Sequence, residues 1–228
     1  MARNVKTPSK TNPEPDQRRS YRSELRTQQA KETRRTIRDA AEKLFLANGY
    51  VATSINAIAE EAGVAPETVY ATFKNKRALL KELIDVSVAG DDEPVALIDR
   101  PWFDEIRAEP DQRRALRMLD EAGLARVARA GPMEQVLAGA AASDPQLHDL
   151  HREQHEARRR DVAQFVDLVL ERGDLRVDRE TAIDVVWAIG GADVWRALVV
   201  ESGWSVERYI QVVHDIIERF GLPDAPAK

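Results

Sequence analysis

The chain has no cysteine at all. That excludes disulfides, thiolate nucleophiles and cysteine-ligated zinc, and it fits a reducing compartment. Long apolar runs are also missing. VVWAIGGA, residues 185–192, falls far short of the roughly 20 apolar residues of a membrane-spanning helix. The polar, basic start has no apolar stretch behind it and does not fit a secretory signal, so the expected location is the cytoplasm, with no membrane partner. Glycine-rich phosphate loops, HExxH and GxSxG are absent, and so is any sustained alternation of period two.

What the 228 residues do contain is charge, and it is unevenly placed. Residues 1–90 hold 16 Lys and Arg against 11 Asp and Glu, whereas residues 91–228 hold 18 against 28. A basic front and an acidic rear point to a polyanion at one end only. Within the front, residues 1–26 are polar, carry Arg3, Lys6, Lys10, Arg18, Arg19, Arg22 and Arg26, and read as a flexible basic tail. Such a tail is either a solubilising segment or an arm that follows phosphates or a minor groove.

From about Thr27 the apolar spacing is helical: Ile37, Ala40, Ala41, Leu44 and Phe45 share one face, and Asn48-Gly49 is a stop signal. Thr53 or Ser54 caps a second helix that ends at Gly63, Pro66 opens a third, and Asn75 caps a fourth that runs to Gly90. The later segments predict helices over 95–107, 111–130, 132–142, 144–172, 179–201 and 205–220, so the fold class is all-α. Gly190-Gly191 inside one of them implies close approach of another helix or a local break.

Two short helices around a tight glycine turn, packed under a longer one, describe a helix-turn-helix over residues 27–74. With Val69 and Phe73 facing inward, Pro66, Glu67, Thr68, Tyr70 and Thr72 share the outer faces of the third helix. Tyr70, Lys74, Lys76 and Thr53 or Ser54 are candidate phosphate ligands, and Glu67, Thr68 and Thr72 candidate base readers. The expected partner is therefore double-stranded DNA.

RRTIRDAAEKLFLANGY followed by TSINAIAEEAGVAPETVYATFKNKRALL resembles the N-terminal domain of the tetracycline-repressor (TetR) family, with AA..LF...GY, T....IA..AGV and T.Y..F..K..L in order. The resemblance implies a one-component repressor, a homodimer on a near-palindromic operator, with residues 75–228 forming a linker helix and a larger helical domain. That domain would bind a small-molecule effector and release DNA, with no cofactor. Thr53, Thr68, Tyr70, Thr72 and Lys76 fall where the family touches DNA. Ala65 stands where the family often has serine, and it offers no side-chain cap.

The rear helices supply the remaining candidates. Val185, Ile189, Val194, Leu198, Tyr209, Val213 and Ile217 are expected at a two-fold helical interface. Trp102, Phe103, Met118, Met133, Leu147, Phe165 and Trp187 are candidates for a pocket lining. His148, His151 and His155 share a helix face, which keeps open a metal-assisted hydrolase if His214 or a carboxylate joined them. The run Arg158 to Arg160 reads as solvated or salt-bridged surface. A DNA-binding dimer without an effector is the remaining alternative.

Overall fold

The computed structural model describes residues 15–91, 99–142 and 144–224, with side chains from Leu25 onward. It is all-α among those residues. Helix α1 spans Pro15–Ala52, beginning well before the expected start at Thr27. Residues 16–30 contain neither glycine nor proline and are rich in Arg and Gln, so nothing local ends the helix before Pro15, which suits a first turn. Leu25 to Glu32 are exposed, and this part of α1 projects beyond the core. Arg3, Lys6 and Lys10 lie outside the described residues.

The buried face of α1 holds Ile37, Ala41 and Phe45, all at 0% exposure. Gly49 leaves helical geometry with φ 76° and ψ 166°. Helix α2 (Ile55–Ala62) is capped by the Ser54 side chain, which accepts from the Ala57 amide, and it ends at Gly63 with φ 66°. That left-handed turn costs a side-chain-bearing residue energy that glycine avoids. Helix α3 (Pro66–Phe73) follows with Val69 and Phe73 buried, and α4 (Lys76–Ala89) is capped by Asn75.

After α5 (Pro101–Ala108) comes α6 (Gln112–Ala141), a single helix of 30 residues where two were expected around Pro132. An interior proline costs ~3 kcal/mol or more. Packing on both sides overrides it: Ala130, Gly131 and Met133 are buried, and a Cβ on Gly131 would sit 3.0 Å from the Trp195 ring. Helix α7 (Pro145–Leu170) starts at the Asp144 cap as expected. The predicted helix over 179–201 is divided into α8 (Arg179–Ile189), α9 (Ala192–Trp195) and a π-helical turn over Arg196–Glu201. Gly190-Gly191 is thus a break, with Gly191 extended. Helix α10 (Val206–Gly221) closes the chain behind the Ser205 cap. Of the helix expected over 95–107, residues 92–98 lie outside the described residues.

Two cores share α6. Its second half contributes Met133, Leu137, Ala140 and Ala141 to the cluster of α1–α4, together with Leu147 and Leu150 of α7. Its first half contributes Leu116, Leu119, Leu124 and Val127 to a second cluster with α5, α7, α9 and α10. Among the described residues no helix is long and apolar enough to cross a membrane.

Removing the Phe45 ring from the first core leaves a cavity between α1 and its neighbours. Phe45→Ala is expected to lower the unfolding free energy by ~3–5 kcal/mol, read as a lower urea midpoint at unchanged m-value.

Candidate nucleic-acid interface and cavity

Helix α3 is held from behind. Arg34 of α1 donates through Nε to Glu82 of α4 at 2.6 Å, pairs with it again through Nη2, and donates through Nη1 to the Thr72 carbonyl at 3.2 Å. The same guanidinium lies 4.6 Å from the centre of the Phe73 ring. One cation therefore fastens the end of α3 to both flanking helices. Arg38, buried, adds a contact to Glu82 at 3.7 Å.

Two of the residues expected at DNA turn inward. Thr53 is 2% exposed, and its hydroxyl donates to the Gly49 carbonyl at 2.8 Å, with the Leu44 carbonyl at 3.2 Å. Its Oγ closes the α1–α2 turn, because Gly49 releases carbonyls that have no helical partner. The Lys76 ammonium donates to the carbonyls of Tyr50 and Thr53, each at 2.8 Å, and sits 4.1 Å from the centre of the Tyr50 ring. Partial burial lowers its pKa. Both residues position the turn beside α3.

The outward surface is made by the others. Ser54, Glu67, Tyr70 and Lys74 are exposed, Tyr70 at 52%, while Pro66, Thr68 and Thr72 are half-buried along the same short helix. The Thr72 hydroxyl donates to the Thr68 carbonyl at 2.7 Å, which leaves its methyl and its lone pairs to face outward chemistry. The Ala65 cap makes no side-chain hydrogen bond; Pro66 has no amide and the Thr68 amide donates to the Ala65 carbonyl at 2.9 Å, so no side chain caps the Glu67 amide.

Behind this unit lies a cavity of about 330 Å³ between α6 and α7, reaching Val88 and Ala89 at the end of α4. Of the residues expected around a pocket, Trp102 and Phe165 are in its wall. Phe103, Met118, Met133, Leu147 and Trp187 are not part of its wall. Met133 and Leu147 are buried under α1–α4, and Phe103 packs edge-on to Trp102. Met118 supports the second core, and Trp187 meets the His155 ring. A hydrophobic residue on a helix can serve a core or a cavity, and spacing alone does not separate the two.

The polar groups of the wall were not anticipated. Arg126, Arg129, Arg158 and Asp161 face it, and so does Asp120. Arg158, expected on the solvated surface, folds over the Gly190-Gly191 break and donates to the Trp187 carbonyl. Its neighbour Arg159 does pair outside, with Asp184 and Glu180. Asp120 is buried and accepts from His214 Nδ1 at 2.7 Å. Burial pushes its carboxyl up to about 6, against the pull of that hydrogen bond. His214 is raised, chiefly by the same bond, and its Nε2 lies 3.1 Å from Glu218 Oε2 without an aligned hydrogen bond.

His214 is thereby committed away from the other histidines. The rings of His151 and His155 are 4.2 Å apart, but among the described residues no group of three His, Asp or Glu is arranged to hold a metal. The expected interface residues divide as well. Tyr209, Val213 and Ile217 are buried in the chain's own second core, because α10 turns that stripe toward α6. Val185, Ile189, Val194 and Leu198 are half-buried, and the exposed apolar residues nearby are Val200 and Ile216.

Residues 37–83 match the family described as bacterial regulatory proteins, tetR family. Over 60 residues the chain is 42% identical to the HTH-type transcriptional regulator AcrR of Shigella flexneri, covering 26% of this chain and 28% of that protein. It thus spans little more than a quarter of the first curated relatives' length. A longer match, 28% identical over 158 residues, covers 68% of this chain and 74% of the HTH-type transcriptional regulator YdeS of Bacillus subtilis. Among solved structures, a transcriptional regulator from Saccharomonospora viridis in complex with choline superposes with a TM-score of 0.61 at 20% identity, covering 85% of this chain and all of that one. At that identity the likeness carries the fold alone.

Lys76→Ala removes the charged donor from two turn carbonyls and is expected to cost ~1–2 kcal/mol after allowance for solvent exposure, read as a lower melting temperature. The buried Asp120–His214 pair gives a pH dependence. Both pKa values are raised on folding, so both groups hold protons more tightly in the folded state. Their contributions are present at low pH and lost as pH rises, that of Asp120 up to about 6 and that of His214 above its ordinary 6.5. The melting temperature should fall as pH rises from about 4 to about 6 with Asp120, and again above 6.5 with His214, and Asp120→Asn should remove the first part of that fall.

Proposed function

The helix-turn-helix domain of this chain belongs to the tetR family of bacterial regulatory proteins, and from that premise we propose a ligand-released transcriptional repressor that grips a near-palindromic operator as a homodimer. The observation that carries the reading is the rigid seating of α3. Arg34 and Lys76 fix its frame from behind, while Glu67, Tyr70 and Lys74 stay exposed in front.

In this reading Tyr70, Lys74 and Ser54 bind phosphates and set the register. Glu67, Thr68 and Thr72 meet base edges: a carboxylate accepts from the cytosine amino group, and a threonine methyl packs on that of thymine. Thr53 and Lys76 act by positioning. The second protomer docks along α8–α10, where Val185, Ile189, Val194 and Leu198 are joined by the exposed Val200 and Ile216. Release by a small molecule is supported by the reach of the cavity to Val88 and Ala89, since an occupant there presses on the helix that carries α3. A protein of this fold, the Saccharomonospora viridis regulator, is in complex with the small molecule choline.

The test is selection from a randomised duplex pool at near-physiological salt. Enrichment of an inverted repeat is expected; no enrichment by a folded dimer would overturn the reading. On the selected site, Tyr70→Phe should weaken all sequences alike, and Lys74→Ala should also reduce the salt slope by about one. Glu67→Gln should change the preference at one position by ~1–3 kcal/mol.

A further inference from the structure

The cavity is long, and its polarity is confined. The apolar part of its α6 wall runs from Leu116 to Val127, about 16 Å of helix, and Arg129 continues it. Leu119, Val162, Phe165, Val166 and Val169 make most of the surface apolar. Asp120 also faces the cavity but is already occupied by His214. The remaining charged groups, Arg126, Arg129, Arg158 and Asp161, gather at the end near α4 and the Gly190 break.

Charge accounting at that end leaves a surplus. Arg126 is balanced by Glu134 at 2.9 Å. Arg158 has a backbone carbonyl and the Trp187 ring, 5.5 Å away, but no carboxylate within ion-pair distance among the described residues. Glu134 and Asp193 act on it only from farther off. Arg129 and Asp161 have no hydrogen-bond or ion-pair partner among the described residues. With Arg126 paired to Glu134, Arg129 and Arg158 are the cations of the wall without a carboxylate at ion-pair distance among the described residues.

The seat of Arg158 is built by the backbone. A Cβ on Gly191 would come within 3.4 Å of its Nη1 and Nη2, so the glycines that break the helix leave room for the guanidinium. Its pKa is lowered to about 10, first by burial and then by Arg126, which is the signature of a cation short of a counter-charge. The buried Tyr209 hydroxyl has no partner and lies near enough to feel both arginines. Donors are in excess here, and Arg158 has no carboxylate acceptor at ion-pair distance.

Resting on the reading of this cavity as the effector site, we propose that its ligand is a linear amphipathic carboxylate, with the carboxylate on Arg158 and the chain lying between α6 and α7. A staggered alkyl chain advances about 1.3 Å per bond, so roughly eight to twelve carbons fit the length. A monoanion there gives the buried Arg158 the carboxylate partner it lacks, and the chain displaces water from apolar wall.

The experiment uses the full chain without DNA and three probes of one length: decanoate, decanol and decyltrimethylammonium, each below its micelle concentration. Binding is read by thermal shift and by the fluorescence of the tryptophans, of which Trp102 lines the cavity. Decanoate should bind at least tenfold more tightly than decanol. Arg158→Gln should abolish that advantage and leave decanol unchanged. Equal binding of decanoate and decanol, or preference for the ammonium that is lost in Asp161→Asn, overturns the proposal; this ranking on the unmodified protein stands even if Arg158→Gln does not fold. Operator release is measured separately. Decanoate that binds without releasing DNA leaves the site chemistry standing and removes the effector reading. Release by another compound, with no decanoate binding, does the reverse.

Discussion

Helix α6 is buried at both ends against different partners, and the behaviour of the molecule depends on that shared burial. Met133 and Leu137 lie under α1 and α4, while Leu119 and Val127 form the second core and the cavity wall. Close-packed interiors have low compressibility and pass strain to their neighbours. A change at the cavity therefore cannot stop at the cavity. It reaches α4 directly, through Val88 and Ala89, and again through the rigid length of α6.

The same constraint explains the tolerance of Pro132. An isolated helix would bend or end there, and local pattern alone predicts two helices. In the folded chain Gly131 brings the α6 backbone against Trp195, and Ala130 and Met133 are sealed on either side. Tertiary packing outweighs the missing hydrogen bond because displacing this segment would open both cores together.

Local signals were legible where a single residue does a single job. Ser54, Asn75, Asp111, Asp144 and Ser205 cap helices as their types suggest, and Gly63 makes the left-handed turn that separates α2 from α3. The helix-turn-helix and the all-α class followed from such signals and from periodicity. The direction in which a long side chain turns was not legible. Lys76 and Arg158 are cations on helices, and sequence assigns both to solvent or phosphate; the free carbonyls of Tyr50 and Thr53 draw in one, and the Gly190 break draws in the other. The α10 stripe misled for a related reason. Tyr209, Val213 and Ile217 have the spacing of an interface, but the chain's own α6 already occupies that face.

Lys74 joins these observations at the interface itself. It is the only non-glycine residue with positive φ among the described residues, at φ 65° and ψ −49°, and the Asn75 amide donates back to the Phe73 carbonyl at 2.6 Å. This is a tight γ-turn, a conformation that costs of order 1–3 kcal/mol and persists only where its surroundings over-determine it. They do so here. Arg34 grips the carbonyl of Thr72 before the turn, Asn75 caps α4 after it, and Lys76 is pinned to the α1–α2 turn just beyond. The exit of α3 is thus clamped on three sides, so a shift of α4 moves α3 with it instead of being absorbed in a slack loop. Strain at Lys74 is the cost of a stiff connection between α3 and α4.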